Sequence, residues 1–387
     1  MRRTALASTM LLALGAGAHA ADQVKLGFMT PLSGPISPAG TEAKRGTDLA
    51  LEELGNKLGG LPVKYTVVDD KTNPAEAVQG ASKLIDEAKV DFVTGFSGSN
   101  TMIPVWKTFS DAGVFAIGAL AGPLQFAGKE CVPNGFVASF SNDDWPAAVG
   151  KYMSDKGIKS AFFIGADYQA GYEHVGAAMK YFKGKAIGPV YTPLTQLDFA
   201  PEMARIRAEK PEAVFAFLVG AGGVALVKQY AQAGLQNQIP FYSEDPVANP
   251  LTFPAQGDAA LGIVMSTNWT ADLDNPANKK FVADFRAKHK TYPSAYGSQA
   301  YDAAALLDSG IKAVGGDLTR KEDMRKAMEK ADFQSVRGAF KYGKNHVPIQ
   351  SFYLQQAVKD GDEYVLKTGE IIVANDADKY SQKCDMK

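Results

Sequence analysis

The side chains best suited to chemistry lie in short turns that follow apolar, strand-like runs. In residues 90–113, VDFVTGFSGSNTMIPVWKTFSDAG, the turn Ser97-Gly98-Ser99-Asn100 sets two hydroxyls, a glycine and an amide where a helix begins. Unpaired backbone N–H groups and the helix dipole make that position attractive to an anion, such as a ligand carboxylate. A plainer reading has Ser99 or Asn100 serving only as the helix N-cap. A second motif competes with the first. Gly220-Ala221-Gly222-Gly223-Val224-Ala225 follows a strand-like run and matches the G-x-G-x-x-A dinucleotide fingerprint, with Glu244 and Asp245 about 20 residues on, where a ribose-binding acid is expected. Read literally, it describes a NAD-type oxidoreductase.

Three observations weigh against that chemistry: the motif lies in the second half of an exported chain, the first strand-helix unit lacks it, and no histidine or lysine stands near a hydride site. The glycines then serve to let a turn approach a neighbour closely. Hydrolysis fares no better, because Gly95-Phe96-Ser97-Gly98-Ser99 lacks the final glycine of a nucleophile elbow. Of the four histidines, His19 falls in the leader described below. His174 on a predicted helix, His289 in a Lys-rich helix end and His346 in a turn have no ligand partner at i+4, and they read as solvated structural groups. The residues point to a binding protein with no catalytic group, cofactor or metal.

The ends and the charge narrow the class. The chain has 387 residues and opens with Arg2-Arg3, an apolar run over residues 4–17, and Ala18-His19-Ala20, which reads as a secretory signal peptide over residues 1–20. No later stretch reaches the roughly 20 apolar residues of a membrane span. Forty-one basic residues against 42 acidic ones give no electrostatic case for nucleic acid or an anionic membrane. Cys131 and Cys384 are the only cysteines; an oxidising compartment favours one disulfide, and two free thiols stay open as the alternative.

The elements that must position these residues alternate. Strand-like runs at 24–29 and 63–68, at the opening of 90–113 and at 114–117 are separated by helical patterns, among them one opened by Asn73-Pro74-Ala75-Glu76, which has an N-cap and a proline at the first helical position. The alternation restarts after residue 140 and runs to about 266; three helical patterns and an alternating, antiparallel-type tail follow. This is the α/β pattern of mostly parallel sheets covered on both faces. In such sheets ligands bind beyond the carboxyl ends of the strands, so the turns at Ser33, Ser97 to Asn100, Ala119 to Gly122, Asp167-Tyr168, Gly220-Ala221 and Ser243 to Asp245 are expected to face one crevice.

Taken jointly, VKLGFMTPLSGPISPAG, DFVTGFSGSNTMIPVWKTFSDAGV, GADYQAG, GDAALGIV, NPANKKFVADFRAKH and PSAYGSQAYDAA resemble the type I periplasmic solute-binding proteins of ABC importers, in the leucine/isoleucine/valine-binding family. The resemblance implies two Rossmann-like lobes joined by a three-crossing hinge, with residues 22–140 plus 267–347 in lobe 1 and 141–266 plus 348–387 in lobe 2. It also implies a periplasmic location, a permease and an ATPase as partners, and hinge closure on one small molecule. Ser99 falls on the family's carboxylate-binding serine, and Leu120 and Ala121 fall on its backbone donors. Gly122 replaces a threonine, which removes one hydroxyl. Tyr168 falls on the tyrosine that closes from the second lobe, and Asp245, or Glu244 if the loop slips by one, on the acid that holds an amino acid's ammonium. Ala39 stands where some members carry a tryptophan. GPLQFAGKECVPN, DYQAGYEHVGAAMKYFKG and the ending SQKCDMK resemble a subgroup that includes binders of aromatic carboxylates, for which Tyr168, Tyr296 or Phe126 would be walls. An aromatic acid is the favoured ligand and a branched-chain amino acid the alternative.

Overall fold

A computed structural model describes residues 21–386. The expected leader at residues 1–20 lies outside the described residues. Apolar runs form buried strands and the amphipathic stretches between them form covering helices. The first series is β1 (Val24–Thr30), α1 (Ser37–Glu53), β2 (Lys57–Leu58), β3 (Leu61–Asp69), α2 (Pro74–Ser82), β4 (Phe92–Gly95), α3 (Ser99–Asp111), β5 (Phe115–Gly118), α4 (Leu124–Ala127) and β6 (Gly135–Val137). The second is α5 (Asp144–Asp155), β7 (Ser160–Ala166), α6 (Gln169–Tyr181), β8 (Lys185–Thr192), α7 (Ala200–Glu209), β9 (Ala213–Phe217), α8 (Gly220–Gln232), β10 (Phe241–Glu244), α9 (Phe253–Gln256) and β11 (Val264–Thr267). Helices α10 (Pro276–His289), α11 (Ala295–Ala313) and α12 (Lys321–Lys330) follow, then β12 (Lys341–Tyr342), β13 (Pro348–Asp360) and β14 (Glu363–Asp376).

Two sheets result. The first has the order β2-β3-β1-β4-β5-β6 and is parallel apart from β2; the second runs β12-β13-β11-β10-β9-β7-β8, with β14 paired to β13. In the second sheet β8, β7, β9, β10 and β11 are parallel, and the tail strands add antiparallel pairs at one edge. After β11 the chain returns to the first sheet, where Phe281 and Phe285 of α10, Leu306 and Leu307 of α11 and Met328 of α12 share a core with Leu26, Phe28 and Phe92. β13 then rejoins the second sheet, so the chain crosses between lobes three times. These are the two Rossmann-like lobes expected from the sequence.

Local rules explain individual starts. Asn73 caps α2 by accepting the N–H of Ala75 at 2.8 Å, with Pro74 in the first turn, where the ring's missing N–H costs no intrahelical bond. Cys131, just beyond α4, is bonded to Cys384, with their Cα atoms 5.7 Å apart. No helix among the described residues is long and apolar enough to cross a membrane. Because the disulfide closes a loop of 253 residues, Cys384→Ser should lower the unfolding free energy by about 2–5 kcal/mol in urea titrations. An unchanged midpoint would mean that the tail does not restrain the unfolded chain.

Candidate functional site

The start of α3 is built by a strained turn. Phe96 adopts φ 56, in the left-handed region, and is held there by an N–H bond to Met29 O at 2.7 Å and by edge-on packing against Trp106 and Phe109. The N-cap of α3 is Gly98, with extended backbone and no side-chain cap bond. The expectation that Ser99 or Asn100 caps the helix is therefore corrected: both lie inside the first turn. Asn100 Nδ2 instead donates to Thr72 O at 2.9 Å, and Ser97 Oγ is 2.6 Å from Thr30 Oγ1. Ser99 Oγ, relieved of capping, accepts from Asn142 Nδ2 at 3.0 Å. The first N–H groups of α3, like those of any helix, have no acceptor within the helix.

The facing loop explains the glycine at 122. A β-carbon there would lie 1.7 Å from Phe140 O, so the position admits no side chain at all. Asn142 occupies the polar role instead. Its Oδ1 accepts the Gly122 N–H at 3.1 Å, its own N–H donates to Gly122 O at 2.8 Å, and its Nδ2 reaches both Ser99 Oγ and Glu173 Oε2, the latter at 2.7 Å. Ala121 N–H is bound to Phe96 O at 2.8 Å. Sequence reasoning missed Asn142 and Glu173. The polar run Asn142-Asp143-Asp144, following strand-like residues 136–140, was the available signal.

The second lobe contributes aromatic groups. His174 on α6 is 2% exposed, which corrects its reading as solvated: its Nδ1 lies 2.6 Å from Glu244 Oε2 and its ring stacks on Phe217 at 3.9 Å. His346 is also buried, stacked on Phe136 and bonded to Gly135 O and Glu329; only His289 of the three stays partly exposed. Burial pushes the Glu244 carboxyl up, and the neighbouring His174 opposes that shift. Burial likewise raises the phenols of Tyr168 and Tyr296, with nearby carboxylates adding to it.

Between the lobes Ser97, Ser99, Leu120, Ala121, Tyr168 and Tyr296 converge on a small cavity with Phe140, Asn142, His174 and Phe217. Measured as space open to the centre of a water-sized sphere it is about 20 Å³, room for one water. Other expected residues lie elsewhere. Ser33 braces a loop by bonding Asp69, and Phe126 stacks on Trp106 in the core beneath α3 instead of forming a wall. Ala39 packs at the margin of the first-lobe core. Gly220, at φ 57, sits where the lobes touch: a β-carbon would come within 2.1 Å of Pro35 O. Asp245 borders a separate groove of about 840 Å³ shared with Trp269, Arg286 and Tyr292. Its carboxylate accepts from Asn249 Nδ2 at 3.1 Å and from the Ala295 N–H at the start of α11. Burial pushes Asp245 up to about 7, and Glu42, which accepts the Ser294 N–H at 2.9 Å, is pushed up to about 7 by its own burial.

The family model for periplasmic binding protein matches residues 23–362. A solute-binding protein of an ABC transporter from R. palustris, solved in complex with benzoate, is 33% identical with a TM-score of 0.88, and the match covers 94% of this chain and 100% of that one. A second from R. palustris, in complex with 4-hydroxybenzoate, is 27% identical with a TM-score of 0.84 over 92% of this chain and 98% of that one. The Leu/Ile/Val-binding protein homolog 6 of Brucella melitensis is 28% identical over 377 residues, 94% of each chain.

The buried acids make stability depend on pH. Glu42 binds its proton more tightly folded than unfolded, moving from 4.5 to about 7, so its stabilising contribution is full below about 4.5 and is lost as pH rises through about 7. Urea midpoints should therefore fall across that interval, and Glu42→Gln, which is neutral throughout, should flatten the fall. An equally steep decline in the variant would remove Glu42 as its source.

Proposed function

The chain belongs to the periplasmic binding protein family and is the solute-binding protein of an ABC transporter, and we propose that its solute is an aromatic carboxylate, held outside the cytoplasm and passed on chemically unchanged. The observation that carries the proposal is the make-up of the cavity. One side offers the start of α3 with Ser99, and the other sides are Phe140, Phe217, His174, Tyr168 and Tyr296. A carboxylate suits the first: it would accept from the Ser99 hydroxyl and first-turn N–H groups, with the helix dipole favouring its charge. A flat ring suits the second, since aromatic walls pack on ring faces and edges. The R. palustris proteins that bind benzoate and 4-hydroxybenzoate support the same class.

The two acids available for an ammonium group are already engaged, Glu244 by His174 and Asp245 by Asn249 and the start of α11. That favours an acid without an amine. The amino-acid reading keeps two supports: the Leu/Ile/Val-binding relatives, and Glu244 Oε1, which is buried without a hydrogen-bond partner. An oxidoreductase loses its motif, because Gly220 is pressed against Pro35 O of the other lobe, in the space a pyrophosphate needs.

A benzoate ring exceeds the 20 Å³ of the closed cavity, so the ligand enters with the lobes apart and the walls repack around it. We assign residues 22–140 plus 267–347 to lobe 1 and 141–266 plus 348–387 to lobe 2, consistent with the pairing of β13 to β11. Burial of the ring then favours the closed state, in which the periplasmic receptor meets its permease and ATPase.

Ser99→Ala should weaken benzoate binding by about 1.5–3 kcal/mol, roughly 10- to 150-fold in Kd by calorimetry; an unchanged Kd would take Ser99 out of the carboxylate site. Asp245→Asn separates the ligand classes. Benzoate affinity should stay within a few-fold, whereas tight leucine binding that collapses in this variant would establish the amino-acid reading.

A further inference from the structure

We propose that the solute binds together with one proton, which Glu173 accepts as the solute's carboxylate settles beside Ser99. The inference rests on the aromatic-carboxylate reading above and adds the charge balance of binding to it. Glu173, on α6 of the second lobe, is joined to the first-lobe end of the cavity by a single amide. Asn142 Nδ2 donates to Glu173 Oε2 at 2.7 Å and to Ser99 Oγ at 3.0 Å. An ionised carboxylate only accepts, so it turns the Asn142 nitrogen toward itself and toward Ser99. Ser99 Oγ thus receives a hydrogen from Asn142, and its own hydrogen is left for the solute.

The same geometry brings two negative groups together. A carboxylate held by Ser99 would be separated from Glu173 by one hydroxyl and one amide, in a cavity that no lysine or arginine lines. Tyr168, on the cavity wall, also feels the Glu173 charge. Neighbouring carboxylates disfavour each other's ionised form, and a proton on one relieves the repulsion. Glu173 is partly buried and lies within reach of solvent. Its Oε1 already meets the Gln169 amide at 2.8 Å, and that amide, turned over, presents an oxygen to the new O–H.

The elements packed on α6 supply no counter-charge. The strands β7 and β9 beneath it carry no charged side chain, and β8 brings exposed Lys185 and Tyr191, which packs on Tyr172. On α5 Lys151 pairs with Asp155 and Asp144 faces Asp143 and Asp378; on α3 Lys107 pairs with Asp111. On α6 and the turn before it, Lys180 lies over Tyr181, Asp167 meets Tyr172, and His174 is bonded to Glu244. Among the described residues no lysine or arginine forms an ion pair with Glu173. Burial pushes its carboxyl up, against the pull of Gln169, Asn142, His174 and the Leu124 N–H. A solute anion raises it further. The loaded receptor then holds the proton more tightly than the free one, so affinity is full below the free protein's Glu173 pKa and falls as pH rises through its value in the complex. The proton comes from solvent and returns there on release.

The test is calorimetric titration of the mature chain with benzoate between about pH 5.5 and 8, in buffers of different ionisation enthalpy, which counts the protons taken up. Uptake should peak at about 0.5–1 proton per benzoate, with Kd rising about 3- to 10-fold per pH unit at the steepest. Glu173→Gln, neutral throughout, should lose the uptake and flatten the Kd profile; Glu173→Ala serves the same purpose if that variant does not fold. Uptake that persists in a folded variant would overturn the role of Glu173, and is the result expected if the solute itself carried the proton. Benzoate binding without proton uptake in the wild type would overturn the inference and leave the aromatic-acid reading standing. Absence of binding with both benzoate and 4-hydroxybenzoate would overturn the two together.

Discussion

The side-chain amide of Asn142 joins three parts of the molecule, and the cleft depends on it. Its oxygen holds the Gly122 N–H and its nitrogen bridges Ser99 Oγ and Glu173 Oε2, so one planar group fixes the α3 turn, the loop after β5 and α6 of the other lobe. Such a buried amide is effective only when its donors and its acceptor are all matched, because an unpartnered buried polar atom costs about 1–3 kcal/mol. The contact of Gly122 with Phe140 O is its precondition, since any side chain at 122 would push the crossing strand away.

Charge is distributed around this joint in a consistent way. The side of the cavity at the start of α3 carries hydroxyls and helix N–H groups, and no lysine or arginine lines the cavity, so the proposed carboxylate would meet dipoles and not a counter-charge. On the second lobe, His174 is hydrogen-bonded to Glu244 and stacked on Phe217, and both aromatic rings line the cavity. Under the proposed reading, a solute bearing an ammonium would turn to Glu244 Oε1, the oxygen that His174 leaves without a partner.

Much of the scaffold was legible in the sequence because it rests on local rules. Strand-helix alternation, the Asn73 cap and the antiparallel tail follow from periodicity and turn chemistry, and Cys131 with Cys384 from compartment and count. Of the turns expected to share one crevice, Ser99, Leu120, Ala121 and Tyr168 line one cavity together with Tyr296 on α11, whereas Ser33, Gly220 and Asp245 do not. What was not legible depends on contacts between distant segments. His174 looks like any helical histidine until Phe217 and Glu244, far along the chain, enclose it. The N-cap of α3 shifted to Gly98 because Phe96 takes a left-handed turn, which a phenylalanine rarely adopts and no local pattern announces.

Gly220 shows how one residue can mislead and then explain. Its spacing matches a phosphate-binding turn, yet its lack of a side chain serves the approach of Pro35 O, and the neighbouring Ile36 inserts into the core of the second lobe with Phe217 and Val219. The same bare helix start that would admit a pyrophosphate admits another lobe's backbone. Closure is therefore determined at two separated points, the Ile36 insertion at the rim and the Asn142 amide at the joint. The cavity is lined by Asn142 of the second point but not by Ile36 of the first.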